Sequence, residues 1–279
     1  MGNRSRWGLA VTAPVTIAVA ATPIAAAVAP REASQRVIVE DVRIPVPGQD
    51  PVAAWVVRPA KAAAGAAAGL LWLHWLGEIH GDRSEFLAEA IDLADDGAVS
   101  VLPQGRFPWV GDPVGDARDV AAVEAQRDAS RASLEWLKSR RWVDQERVAI
   151  VGHDYGAMYG ALLADEDASI AAMVMAAPDA TWGNWFATFW LRLDEGNVRS
   201  AYAAMFEGLD PVDHVDLLGS HLLLQWAGDD FFIPAEVRDA YAVAAPDAQT
   251  ILYEHDDHEF TTQAQIDRDA FLRTELGLG

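Results

Sequence analysis

Residues 148–157 read Val-Ala-Ile-Val-Gly-His-Asp-Tyr-Gly-Ala, and this stretch decides the fold. A run of four apolar residues, typical of a buried strand, leads into Gly152-x-Asp154-x-Gly156, and small helix-forming residues follow directly. The two glycines are needed because the turn is sharp and its neighbours crowd the backbone. At the apex, Asp154 projects from the carboxyl edge of the sheet beside a helix N-terminus, which favours an anion. The stretch therefore predicts a strand–turn–helix unit that presents a carboxylate.

Short apolar runs alternate with helical patterns on both sides of this unit. The runs predict strands over residues 36–45, 52–58, 70–74, 99–102, 148–151, 170–175, 222–226 and 251–253. The helical patterns cover residues 84–94, 117–140, 157–164 and 264–276. Strands that alternate with helices need right-handed crossovers, so we expect an α/β fold with a mainly parallel, eight-stranded sheet flanked by helices.

Residues 179–218 interrupt this alternation, because they are too long for an ordinary connection between two strands. The segment is rich in aromatic residues: Trp182, Trp185, Phe186, Phe189, Trp190 and Tyr202. Aromatic side chains both fill cores and line apolar ligand sites. We therefore expect either an additional part of the core or a short helical lid over a pocket.

The N-terminus has the pattern of a secretory signal peptide. Arg4 and Arg6 precede an uncharged stretch over residues 7–30, and small residues near its end offer cleavage sites. This predicts a signal peptide over residues 1–29 and a secreted, periplasmic or cell-surface protein whose single α/β domain covers residues 30–279. An uncleaved membrane anchor is the alternative, since the stretch is long enough to span a bilayer.

The composition excludes several classes of partner and chemistry. The chain has 279 residues, of which 51% are hydrophobic and 23% charged, as in a soluble globular protein. Its formal net charge of -21 would repel nucleic acid and anionic lipid. No cysteine is present, which excludes disulfides, thiolate metal sites and a cysteine nucleophile. The sequence also lacks a convincing metal-ligand motif, so we expect no metal or cofactor.

The unit around Asp154 resembles the nucleophile elbow of the α/β-hydrolase superfamily, and the resemblance extends over residues 36–276. Within it, Gly152-His-Asp-Tyr-Gly156 is similar to the elbow of the aspartate-nucleophile branch, which includes epoxide hydrolases and haloalkane dehalogenases. The flanking pattern is closer to dienelactone-hydrolase-like proteins, because Leu73-His-Trp-Leu-Gly77 lies where that family has its oxyanion loop. That family uses cysteine or serine, and this chain has neither at the elbow.

The resemblance implies a catalytic triad in the order nucleophile, acid, histidine. Asp230 matches the acid of the family by its spacing to the following proline, while Asp229 and Asp179 are alternatives. His258, followed by x-Phe, matches the catalytic histidine better than His255 does.

An aspartate nucleophile restricts the reaction. Attack on an ester would give a high-energy anhydride, whereas attack on a saturated carbon with a good leaving group gives an ordinary ester. We therefore expect an epoxide or an alkyl halide to form an alkyl-enzyme ester on Asp154. Water activated by His258, which Asp230 orients, would hydrolyse that ester. The backbone N–H groups of Trp75 and Tyr155 would stabilise the oxyanion.

The leaving group would need a donor from the 179–218 segment. Tyr202 could protonate an epoxide oxygen, and the indole N–H groups of Trp182, Trp185 and Trp190, or that of Trp75 outside the segment, could hold a halide. The tryptophans could equally form only an apolar wall.

Two further functions stay open. One is an esterase or lactonase of the dienelactone-hydrolase type, in which Asp154 acts as a general base on water. The other is a non-catalytic α/β-hydrolase that binds a small apolar ligand or a protein. In the catalytic hypotheses the partners are a small apolar organic substrate and water, and no stable membrane partner is expected unless the N-terminus is an anchor.

Overall fold

The computed structural model describes residues 37–77 and 81–279, and this part of the chain contains eight strands. They are β1 (Val37–Val46), β2 (Gln49–Pro59), β3 (Ala67–Leu73), β4 (Ala98–Pro103), β5 (Val143–His153), β6 (Ile170–Ala176), β7 (Leu222–Ala227) and β8 (Gln249–Tyr253). All eight join one sheet in the order β1-β2-β4-β3-β5-β6-β7-β8. Strands β1, β2 and β4 pair antiparallel, and every pairing from β4 to β8 is parallel. The mainly parallel sheet expected from the sequence is confirmed.

Seven α-helices lie in the described residues: α1 (Leu87–Asp95), α2 (Ala117–Lys138), α3 (Tyr155–Glu166), α4 (Trp182–Trp185), α5 (Asn197–Ala203), α6 (Ala235–Ala244) and α7 (Thr262–Leu276). The sequence did not predict α6. Tyr241 is its one buried residue, and Val237, Ala240 and Ala244 pack partly buried against the core at helical spacing, so the helix has an apolar face that the sequence analysis did not use.

Two apolar clusters cover the two faces of the sheet. Along β3, Leu71 and Leu73 belong to one cluster with α2, α3 and part of the 179–218 segment, whereas Leu70 and Trp72 belong to the other with α1 and α7. Successive side chains of a strand point to opposite faces, so a strand covered on both sides becomes a continuous apolar run. This explains why the central strands read as uninterrupted apolar stretches.

The 179–218 segment contains α4, a π-helical turn (Phe186–Trp190), α5 and three short 3-10 turns. Four of its aromatic side chains are almost completely inaccessible to solvent: Trp182, Phe186, Tyr202 and Phe206. These four extend the hydrophobic core on one face of the sheet. The sequence predicted either an additional part of the core or a lid over a pocket, and these four side chains are part of the core.

The predicted signal peptide, residues 1–29, lies outside the described residues. Within residues 37–77 and 81–279, no helix combines the length and the apolar character needed to cross a membrane.

Candidate active site

Asp154 occupies the turn between β5 and α3 with φ 53° and ψ -122°, a backbone conformation that non-glycine residues rarely adopt. The flanking glycines are explained by close backbone approach. A Cβ on Gly152 would lie 2.4 Å from Cα of Ala157, and one on Gly156 would lie 1.9 Å from the carbonyl oxygen of Leu73. The strained turn is thus packed tightly between the end of β3 and the start of α3. Such strain is characteristic of functional positions.

Asp230 and His258 meet at the same edge of the sheet, because they follow the parallel strands β7 and β8. Nδ1 of His258 donates to Oδ2 of Asp230 over 2.8 Å. The other carboxylate oxygen, Oδ1, accepts the backbone N–H groups of Phe232 (2.7 Å) and Ile233 (3.2 Å). The Asp230 carboxylate is therefore held in place and in turn fixes the His258 ring.

The alternative triad residues lie in different surroundings. Asp229 and His255 are exposed. Asp179 is buried, and its carboxylate accepts the backbone N–H of Thr181 over 2.8 Å. The geometry favours the Asp230–His258 pair over these alternatives. Among the described residues, no group of three or more acidic or histidine side chains is arranged to hold a metal ion.

Asp154 and His258 influence one another electrostatically. Burial raises the pKa of Asp154 to about 7, although the charge of His258 and the N–H of Leu76 act in the opposite direction. Burial also opposes charge on His258, but the hydrogen bond to Asp230 and the charges of Asp154 and Asp230 outweigh it and raise the pKa of His258. The site therefore places a carboxylate that titrates near neutral pH beside an imidazolium that is stabilised.

The two oxygens of the Asp154 carboxylate differ. Oδ2 accepts the backbone N–H of Leu76 over 3.2 Å. Oδ1 is buried, and no group in residues 37–77 and 81–279 donates a hydrogen bond to it. One oxygen is thus anchored, and the other is buried without a described hydrogen-bond partner.

The oxyanion loop corrects one sequence-based assignment. The N–H of Trp75 donates to Oε2 of Glu85 over 2.7 Å, so it is not directed at Asp154. The N–H that faces the elbow belongs to the next residue, Leu76. Tyr155, the second predicted donor, is the first residue of α3, where N–H groups have no partner within the helix. We therefore place the candidate oxyanion donors at Leu76 and Tyr155.

Two side chains fix the direction of the Leu76 N–H. The carbonyl oxygen of Trp75 accepts Nδ1–H of His74 (2.8 Å) and Nε1–H of Trp109 (2.8 Å). In a trans peptide the C=O and the following N–H point in opposite directions. Because two donors hold this C=O, the N–H of Leu76 is held toward Asp154.

The leaving-group donors expected from the 179–218 segment are engaged elsewhere. Tyr202 donates its hydroxyl to Asp119 over 2.6 Å, deep in the core. The indole N–H of Trp182 donates to the carbonyl of Leu209 over 2.8 Å. Neither side chain is available to a substrate, so both assignments are wrong.

Trp190 and Trp185 lie closer to the elbow. The indole N–H of Trp190 donates to the hydroxyl oxygen of Tyr155 over 2.6 Å, and is therefore also occupied. The ring of Trp185 contacts that of Tyr155, with centroids 5.4 Å apart. These two tryptophans support Tyr155 beside the elbow, and the structure provides no free indole N–H at Trp190 for a halide.

An aromatic wall, which we define as Trp185, Phe189, Phe232 and Phe231, extends from His258 toward solvent. The Phe232 ring lies 5.0 Å from the His258 ring and 5.4 Å from that of Phe189. Phe231 is 83% exposed, which is unusual for so large an apolar side chain.

Sequence reasoning missed Leu76, Glu85, Trp109, Phe231 and Phe232. For the two phenylalanines a signal existed, since they directly follow the proposed triad acid. Glu85 and Trp109 lie in segments without a motif, so their roles depend on the tertiary structure.

Eight strands in this order, with the elbow after β5, an acid after β7 and a histidine after β8, define the α/β-hydrolase fold. Solved structures agree. An acetyl xylan esterase from Paenibacillus sp. R4 matches with a TM-score of 0.74 and 16% identity, over 87% of this chain and 85% of that one. An esterase from the Planctomycetes species Thermogutta terrifontis matches with a TM-score of 0.61 and 15% identity, over 85% and 92% of the two chains.

A proposed dienelactone hydrolase from Klebsiella pneumoniae subsp. pneumoniae matches with a TM-score of 0.60 and 17% identity, over 86% of this chain and 98% of that one. No protein-family model and no curated protein sequence matches the chain. At these identities the similarity establishes the fold and leaves the reaction to be argued from the site.

Proposed function

We propose that this protein hydrolyses neutral carboxylic esters, with Asp154 as the general base on water and His258 as the general acid. The observation that carries the proposal is the pairing of a buried carboxylate, whose pKa is about 7, with a histidine held by Asp230. Two neighbouring groups with opposed environments are the usual arrangement for acid and base roles at one centre.

The proposed reaction begins with a water held by Oδ1 of Asp154, the oxygen without a described partner. The water oxygen attacks the ester carbonyl carbon and its proton passes to Asp154. The negative charge that develops on the carbonyl oxygen is stabilised by the N–H of Tyr155 and by that of Leu76, which moves its hydrogen bond from Oδ2 of Asp154 to the carbonyl oxygen as Asp154 takes up the proton. Collapse of the tetrahedral intermediate expels the alcohol, which takes a proton from His258. Ester and water are converted to acid and alcohol, and proton exchange with solvent restores both side chains.

Three considerations favour this reaction over attack by the carboxylate itself. An aspartate that attacked an ester would form an anhydride, which gains nothing over serine. The hydroxyl of Tyr202 and the indoles of Trp182 and Trp190, which an epoxide or halide reaction would use, are engaged within the protein. Several structures with the same fold are described as esterases.

The surroundings favour a neutral, apolar substrate. The aromatic wall offers apolar contact beside His258. The carboxylate of Asp230 also acts on Asp154, and the chain carries a formal charge of -21. An anionic substrate would be repelled both by the nearby carboxylate and by the net negative charge of the chain. We propose an ester with an aromatic or alkyl group that packs against the wall.

A second candidate is the covalent mechanism on an epoxide or alkyl halide. Its support is the asymmetry of the Asp154 carboxylate, because Oδ2 already accepts the N–H of Leu76 while Oδ1 is free to attack. In that mechanism the oxyanion of the second step would develop at Oδ2.

Isotope labelling separates the two mechanisms. Excess enzyme is mixed with an aryl ester, an epoxide or a haloalkane in H₂¹⁸O for a single turnover, and the product and the peptide containing Asp154 are weighed. The general-base reaction places ¹⁸O in the acid product and leaves the peptide unchanged. The covalent reaction places ¹⁸O in Asp154, and the variant H258Q should then accumulate an adduct on the same peptide. If the wild type turns over none of the three substrate classes and still binds them, the non-catalytic hypothesis replaces both.

A further inference from the structure

Glu85 connects the two loops that flank the elbow. Its Oε2 accepts the backbone N–H of Trp75 in the oxyanion loop over 2.7 Å. Its Oε1 lies 2.7 Å from Nδ1 of His153, the last residue of β5. On the other side of the ring, Nε2 of His153 lies 2.9 Å from the carbonyl oxygen of His258. A single chain of hydrogen bonds therefore links the oxyanion loop to the backbone of the candidate general acid.

The partners determine where the protons lie. A carbonyl oxygen only accepts, so Nε2 of His153 must carry a proton. The ring is then neutral only if Nδ1 accepts, and in that case Glu85 must donate as a carboxylic acid. Both side chains are buried, with exposed fractions of 4% for His153 and 15% for Glu85. Burial raises the pKa of Glu85 well above its usual value and lowers that of His153 well below its own.

The charged groups around Glu85 and His153 are compatible with a neutral His153 and a protonated Glu85. The guanidinium of Arg268 and the ring of His258 disfavour a positive charge on His153. Arg268 is itself paired with Glu89, at 2.6 Å, which reduces its pull on the Glu85 carboxyl. When Glu85 is a carboxylic acid that donates to a neutral His153 ring, every polar atom of this hydrogen-bond chain has a partner and no charge is buried.

Ring packing supports the same connection. The Trp75 indole stacks on the His153 ring, with centroids 5.1 Å apart and an interplanar angle of 6°. The His258 ring lies 5.8 Å from Trp75 and 5.1 Å from His153. A shift of either loop would therefore disturb both the stack and the hydrogen bonds.

We propose that Glu85 and His153 are positioning residues, a neutral buried pair that holds the oxyanion loop and the His258 loop at the correct separation around Asp154. The proposal rests on the proposed function for its kinetic consequence, because it concerns how the donor of Leu76 and the imidazole of His258 are presented to one substrate.

The kinetic test compares E85Q with E85L. A glutamine keeps the hydrogen-bond chain, because its NH₂ donates to Nδ1 of His153 and its carbonyl accepts the Trp75 N–H. We therefore expect kcat for an aryl ester to stay within about threefold of wild type. A leucine breaks both bonds, and kcat should fall about 10–100-fold, as for other residues that orient a reacting group, with little change in KM. E275L is the matched control: it removes a glutamate–histidine contact of the same kind, between Oε2 of Glu275 and Nδ1 of His221 at 2.6 Å, outside the candidate site, and should leave kcat unchanged.

A spectroscopic test needs no substrate. In protein with ¹⁵N-labelled histidine, His153 should be neutral at pH 7, with its proton on Nε2, in both wild type and E85Q. The Nδ1–H resonance of His258 should be unchanged in E85Q and shifted in E85L. If E85L does not fold, the wild-type and E85Q spectra decide.

Three results would overturn the proposal: a doubly protonated His153 at neutral pH, a folded E85L with wild-type kcat, or an E85Q as impaired as E85L. If the wild type hydrolyses no ester, the proposed function fails, while the histidine spectra still decide the state of the pair.

Discussion

The backbone N–H of Leu76 points at Oδ2 of Asp154 over 3.2 Å, although 78 positions separate the two residues in the chain. This contact joins the loop after β3 to the turn after β5, which are neighbouring parallel strands. Its direction is set by the groups that hold the Trp75 carbonyl, so the candidate oxyanion site can be perturbed without touching Asp154.

Replacing Trp109 by phenylalanine should weaken that site. W109F keeps the aromatic ring but removes the Nε1–H that donates to the Trp75 carbonyl. We expect kcat for an aryl ester to fall about tenfold with little change in KM, less than the loss on removing an oxyanion donor outright. W136F is the control, because Trp136 lies under Arg140 on the surface of α2. Equal effects of the two substitutions would show that Trp109 has no specific role.

The rate should depend on pH in a bell shape. Asp154 must be deprotonated to act as a base, so kcat should rise with pH through about 7, the value to which burial raises its pKa. His258 must be protonated to act as an acid, and the rate falls again above its raised pKa. D230N removes the negative charge that stabilises the imidazolium, so the alkaline limb should move to lower pH. D229N, an exposed neighbour, should leave the profile unchanged; an unmoved alkaline limb in D230N would argue against His258 as the acid.

Asp154 should make stability depend on pH. Its folded-state pKa, about 7, lies above the ordinary value of an aspartate, so the protonated form stabilises the fold at low pH. That contribution is lost as the pH rises from about 4 through about 7. D154N is neutral throughout and should exceed wild type in unfolding free energy by about 2 kcal/mol at pH 8, a gain typical of relieving an active-site cost. Urea denaturation at pH 4 and pH 8 tests this, and a gain that is equal at both pH values would contradict it.

Gly156 should tolerate no side chain. In G156A the new Cβ would meet the carbonyl oxygen of Leu73 at 1.9 Å, and backbone cannot move aside easily. We expect a loss of about 3 kcal/mol in stability together with loss of activity. G160A is the comparison, because its Cβ would meet side-chain atoms rather than backbone: the flexible end of Met173 at 2.7 Å and Cγ2 of Ile150 at 3.1 Å. Thermal unfolding should show the smaller shift for G160A, and similar shifts would refute the argument from backbone contact.

Phe231 should matter for substrate size. Because its ring is 83% exposed, F231A should not lower Tm, yet it removes apolar surface from the end of the aromatic wall. KM for a large aryl ester should rise about three- to tenfold, while a methyl ester should be unaffected. V243A, at another site that is 83% exposed, serves as control. An identical change for both esters would remove Phe231 from the substrate site.

The local sequence pattern was enough to predict the structure wherever residues that are neighbours in the sequence are also neighbours in space. The elbow around Asp154 is of this kind, since strand, turn and helix are consecutive. Helix α6 is of the same kind but was not predicted. Its buried Tyr241 and its partly buried Val237, Ala240 and Ala244 recur at helical spacing and pack against the core.

The sequence alone determined the α/β class, the mainly parallel sheet and the apical position of Asp154, because periodicity and turn chemistry are local properties of the chain. Hydrogen-bond partners are not local. Only the tertiary structure decided that Leu76 rather than Trp75 faces Asp154, and that Tyr202 is engaged with Asp119. A side chain or N–H group has a limited number of bonds to give, and which partner takes them depends on distances between segments that are far apart in the sequence.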